Sequence, residues 1–189
     1  MIPLIDRIAA FVYNKVNGWL LGLAFVLYSG FALIVMRSGA EKIELLAGHP
    51  VEILDLQWHF TPEKADMILR NYTPEARQAA AYFNATADSI YPVLYTFLLI
   101  VLLGLIYRPD LKEHPAWCYV PLLPFLVMFF DYAENICIIH LLRNYPNYTH
   151  VVAVAGGWFT SFKWFSVLLI ILLVLSGLHR RIFVKKLKG

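Results

Sequence analysis

Residues 119–142 read YVPLLPFLVMFFDYAENICIIHLL. At about 1.5 Å of rise per residue, this run is long enough as a helix to cross the ~30 Å hydrocarbon core of a bilayer. Its middle nevertheless holds Asp131, Glu134 and Asn135. An ionisable group at membrane depth is costly unless it faces protein or water and finds a partner, so such groups mark functional sites by default. The spacing i, i+3, i+4 puts all three on one helix face. Lys163, the one basic residue inside another apolar run, is their natural partner.

Composition supports a membrane setting for this run. Of the 189 residues, 60% are hydrophobic and 15% charged, and the mean hydropathy is +0.62, outside the range of soluble globular chains. Tyr and Trp gather near the ends of the apolar runs, as interfacial belts require. The net charge of +3 arises largely in the last ten residues, so it gives no sign of a nucleic-acid partner. Cys118 and Cys137 fall on one predicted helix about 28 Å apart. They cannot pair within it, and neither forms a redox or metal motif.

Working outward, the pattern predicts an all-α protein: a four-helix transmembrane bundle forming a single integral membrane domain, 1–189, with spans at 18–36, 89–107, 119–142 and 151–178. Ahead of the first span, Ile5, Ile8 and Val12 lie opposite Asp6, Arg7, Asn14 and Lys15, which suits a helix lying in the membrane interface. Segment 37–87 is the one substantial hydrophilic stretch, and it contains two near-identical helix starts. Thr61-Pro62-Glu63 and Thr73-Pro74-Glu75 each offer a capping hydroxyl, a proline in the first turn and an acid beside the helix dipole. The second helix is expected to run from Pro74 through Tyr107 as one rod, bent at most near Pro92. Pro121 and Pro124 are expected to kink the third span. Val51, Ile53, Trp58 and Phe60 are too apolar for a free loop, so 37–87 reads as a partly helical lid rather than an independent domain.

Basic residues predict the orientation. Arg7, Lys15, Arg108, Lys112, Arg180, Arg181, Lys185, Lys186 and Lys188 flank one side, whereas the basic residues of 37–87 are interspersed with acids. The positive-inside rule then gives cytoplasmic termini and an outer lid.

Depth along the spans brings a constellation together. Counted from the outer ends of their spans, Glu134 lies about 12 Å in, Asp131 about 16 Å, Lys163 about 18 Å and Tyr95 about 10 Å. Asp88, Tyr91 and Tyr95 share a face of the second span, and Thr160, Lys163 and Ser166 form a narrow polar face on the fourth. In the functional reading, Glu134 is the acid or base and Asp131 keeps Lys163 charged. Asn135, Asp88, Tyr91, Tyr95 and Thr160 bind and orient a ligand. Lys163, ringed by aromatics with a carboxylate nearby, also fits a Schiff-base lysine. The histidines lack the spacing of a metal site, and no metal or cofactor is called for.

Four spans, cytoplasmic termini, a long first outer loop, buried acids and a basic tail resemble the sterol isomerase and sigma-2 receptor group in layout. The resemblance is one of layout and carries over no site residue. Three functions fit the sequence. The first is an enzyme or receptor whose polar intramembrane cavity takes a membrane lipid or other apolar small molecule, with acid/base chemistry by buried carboxylates. The second is a structural or assembly subunit whose charged network locks helices together. The third is a proton-coupled transporter acting as a homo-oligomer.

Overall fold

The computed structural model describes residues 4–111 and 114–184. Lys112 and the tail residues Lys185, Lys186 and Lys188, on which part of the charge bias rests, lie outside them. All the regular structure among the described residues is helical, with no strand. Four helical stretches, 18–47, 74–107, 115–144 and 150–182, are long and apolar enough to cross a membrane, as in a multi-pass membrane protein.

Helix α1 (Leu4–Lys15) precedes α2 (Gly18–Gly30), which Asn17 caps by accepting a hydrogen bond from the Leu20 amide at 2.9 Å. α2 does not stop where the sequence reading ended the first span. It passes through a π-helical turn (Phe31–Met36) directly into α3 (Arg37–Ala47). No helix breaker intervenes, and an i, i+4 ion pair between Arg37 and Glu41 at 2.8 Å supports the junction. Gly48, at φ +80°, ends the rod in the left-handed conformation that glycine adopts without steric cost.

Both proline-led starts form as the sequence predicts. Thr61 accepts from the Lys64 amide at 3.3 Å and opens α4 (Pro62–Arg70); Thr73 accepts from the Ala76 amide at 3.1 Å and opens α5 (Pro74–Ala85). The expected single rod from Pro74 to Tyr107 is interrupted, however, and not at Pro92. Thr86 departs from helical geometry (φ −120°, ψ −85°), and α6 (Ala87–Tyr107) restarts after it. The Thr86 hydroxyl donates to the Tyr82 carbonyl at 2.7 Å, and the Ser89 hydroxyl to the Asn84 carbonyl at 3.0 Å. Side-chain competition for backbone acceptors loosens a helix at such a point. Pro92 follows close behind the restart, where it deprives only the Asp88 carbonyl of a partner.

The third stretch is likewise divided rather than kinked. A 3-10 turn (Pro115–Leu122) precedes α7 (Pro124–Asn144), which packs along α8 (His150–His179). At one end of the bundle the Tyr107 hydroxyl donates to the Leu173 carbonyl at 2.9 Å, and Arg181 donates to the Leu105 and Ile106 carbonyls. At the other end, residues 43–81 of the connecting segment bury Leu54, Phe60, Ile68 and Leu69 against Ile138, Leu141 and Ala153. Phe60, 1% exposed, alone contributes about 1.5–3 kcal/mol of apolar burial.

Candidate functional site

α8 has no side chain at Gly156 and Gly157, and Phe60 occupies the space. A Cβ on Gly157 would lie 1.9 Å from the Phe60 carbonyl oxygen. Only glycine permits the connecting segment to come this close. Docked there, His59 Nδ1 is 2.9 Å from the Gly157 carbonyl and 3.0 Å from Ser161 Oγ, and the Ser161 hydroxyl also lies 3.1 Å from the Trp58 carbonyl. The same docking brings the 3-10 turn Leu54–Leu56 over Lys163.

Lys163 Nζ is the hub. It pairs with Glu134 Oε2, lies 3.5 Å from Asp131 Oδ1 and donates to the Asp55 backbone carbonyl at 3.1 Å. The third and fourth spans are therefore antiparallel neighbours joined through this lysine, as matched depth predicts. The two acids divide differently from the sequence reading, which put Asp131 against Lys163 and aimed Glu134 at the cavity. Glu134 is 0% exposed, held between Lys163 and the Thr160 hydroxyl at 2.7 Å. Asp131 accepts from the Tyr95 hydroxyl at 2.8 Å and lines the cavity. Depth counting ignores rotation, and three residues at ~100° each turn one carboxyl toward α8 and the other toward α6.

The cavity has a volume of about 630 Å³ and a mainly apolar lining, within the range of small-molecule sites. Asp88, Tyr91, Tyr95, Asp131 and Lys163 all reach it. Tyr91 does so from a stack with Tyr28, whose ring is 5.5 Å away, and its hydroxyl donates to the Tyr28 oxygen at 3.0 Å. Three of the expected site residues stand behind the wall instead. Glu134 and Thr160 bond to one another, and Asn135 lies beside the Asp88 carboxyl.

Sequence reasoning missed Asp55. It lines the cavity opposite Asp131, bringing the carboxyls around one ammonium to four: Asp55, Asp88, Asp131 and Glu134. Burial raises the Asp55 pKa above the usual carboxylate range; Lys163 opposes that shift, and Asp131 adds to it. An acid between Leu54 and Leu56, inside a stretch already too apolar for a loop, was the available signal. Among the described residues no three His, Cys, Asp or Glu side chains converge as a metal site.

The described residues form a helical bundle in which four stretches are long and apolar enough to cross a membrane, with a charged cluster on the wall of a cavity. No protein-family model, curated protein or solved structure matches the chain, so its geometry alone carries the functional reading.

Proposed function

We propose that this protein binds a lipid-like, apolar small molecule within the membrane, and that its cavity carboxyls supply acid/base chemistry to that ligand. The observation that carries the reading is an apolar cavity of about 630 Å³ with Asp55, Asp88, Asp131 and Lys163 on its wall. A purely structural charge network has no use for such a space. Asp131 and Asp88 are the groups that meet the ligand, and Tyr95 and Tyr91 orient it. Glu134, with Thr160, holds Lys163 in place. In this reading the termini are cytoplasmic, and segment 37–87 covers the outer mouth of the cavity, consistent with the distribution of basic residues.

The alternative, an assembly subunit whose ionic cluster only fixes helix register, draws on the full burial of Glu134. Mass spectrometry of molecules retained by the purified protein separates the two. A co-purifying apolar molecule that is lost in Asp131→Asn supports ligand binding. A protein that retains nothing while keeping its fold supports the structural role.

A further inference from the structure

The connecting segment docks deep along α8. Leu178 is the last apolar residue before His179, Arg180 and Arg181, and Gly177 beside it packs on Ile106, close to Arg108, so this level marks one edge of the hydrocarbon. Counted from Leu178 at about 1.5 Å of rise per residue, Trp164 is about 21 Å along α8 and Ser161 about 26 Å. Both fall within the ~30 Å of a bilayer core. These are the residues that hold the segment. The Trp58 and Trp164 ring centroids are 5.5 Å apart, the Ser161 hydroxyl donates to the Trp58 carbonyl at 3.1 Å, and Lys163 donates to the Asp55 carbonyl at 3.1 Å. With the four long stretches crossing a bilayer, residues 55–58 therefore lie at hydrocarbon depth, below the ends of the helices.

Backbone outside long helices is tolerated at that depth only where protein satisfies its polar groups, and the segment meets this demand. The Glu52 carbonyl accepts from the Tyr72 hydroxyl at 2.9 Å, the Ile53 carbonyl from Gln57 Nε2 at 3.2 Å and the Leu54 carbonyl from the Gln57 amide at 3.1 Å. Lys163 and Ser161 serve Asp55 and Trp58 in the same way. A loop in water needs no such set of donors, since solvent supplies them. Its side chains turn the other way. Leu56 is 63% exposed and Trp58 67%, and His59 meets Trp158 edge-on, one of the α8 aromatics that, with Phe162 and Phe165, are also exposed. The outer surface of the segment thus continues the apolar surface of a membrane-crossing helix.

We propose that residues 52–58 form a re-entrant segment whose Leu56 and Trp58 side chains contact the acyl chains of the nearer leaflet. Leu56 also lines the cavity. Resting on the ligand-binding reading above, the mouth beside Leu56 admits an apolar molecule sideways from that leaflet, without passage through water.

Nitroxide labels on the full chain in phospholipid nanodiscs test this. Leu56→Cys and Trp58→Cys are each made with Cys118→Ser and Cys137→Ala, and variants whose Tm matches that of the Cys118→Ser, Cys137→Ala parent are labelled. Phe25→Cys, at an exposed position on α2, is the lipid reference, and Glu75→Cys, at the exposed start of α5, the aqueous one. Collision with oxygen, which concentrates among acyl chains, is compared with collision with a water-soluble nickel chelate. The ratio of oxygen to nickel accessibility at residues 56 and 58 should be severalfold above that at Glu75→Cys and match that at Phe25→Cys. A ratio at residue 58 equal to the aqueous reference places the segment in water and overturns the proposal. Poor access of both reagents at both positions means that protein, such as a second copy of this chain, covers the surface, and overturns the lipid contact. A lipid-like ratio at residue 58 with an aqueous one at residue 56 overturns sideways entry. The ratios do not depend on a bound ligand, so none of these outcomes decides the ligand-binding reading, which rests on the molecules retained by the purified protein.

Discussion

Lys163 Nζ donates a hydrogen bond to the backbone carbonyl oxygen of Asp55 at 3.1 Å. The bond joins the fourth span to the segment connecting the first two, so the ammonium that neutralises the buried acids also anchors the cover of the cavity. Lys163→Met removes both functions and leaves Glu134 buried without its cation. Breaking such a pair costs about 3–5 kcal/mol. Thermal unfolding of the purified protein should show that loss, and Lys163→Met combined with Glu134→Gln should recover part of it, because the second change removes the stranded charge.

Asp131 and Glu134 should separate by phenotype. Glu134→Gln weakens the bond that holds Lys163, so it should lower Tm while a retained ligand stays bound. Asp131→Asn keeps the shape of the cavity wall but removes a titratable group, so it should fold normally and lose ligand or activity. Stability and retained ligand measured on both variants check this assignment. Ligand loss in Glu134→Gln alone would reverse it.

Gly157→Ala places a methyl 1.9 Å from the Phe60 carbonyl oxygen. Backbone must move to admit it, at about 1–3 kcal/mol for overpacking. The visible effect should be release of residues 54–60 from α8, read as faster proteolytic cleavage there. Gly22→Ala, where the added carbon meets nothing within 4 Å, should leave cleavage unchanged.

Asp55 should make stability depend on pH. Its pKa is higher folded than unfolded, chiefly through burial, so the folded state binds more protons. Its contribution is therefore harmless below the ordinary aspartate value of about 3.9 and turns increasingly unfavourable as pH rises above it. Asp55→Asn removes the titration. Its Tm relative to the unsubstituted protein should climb as pH is raised from 4, and a flat difference across that range would rule out a raised Asp55 pKa.

Properties set by neighbouring residues were legible in the sequence. Four apolar runs, the Thr61 and Thr73 caps, and the shared depth of Asp131, Glu134 and Lys163 follow from local composition and helical rise. The first rod runs past residue 36 and ends at Gly48, and the second breaks at Thr86 rather than Pro92, where the Thr86 and Ser89 hydroxyls take backbone carbonyls that propensity weighs poorly.

Tertiary structure alone decided which acid faces the cavity, because the rotation of a helix about its axis is set by packing against its neighbours. It also decided that Asp55 joins Lys163. Nothing within its own stretch links Asp55 to a lysine 108 residues away. The link exists because Gly157 lacks a side chain and Phe60 fills the gap, and that complementarity arises only when the two segments meet.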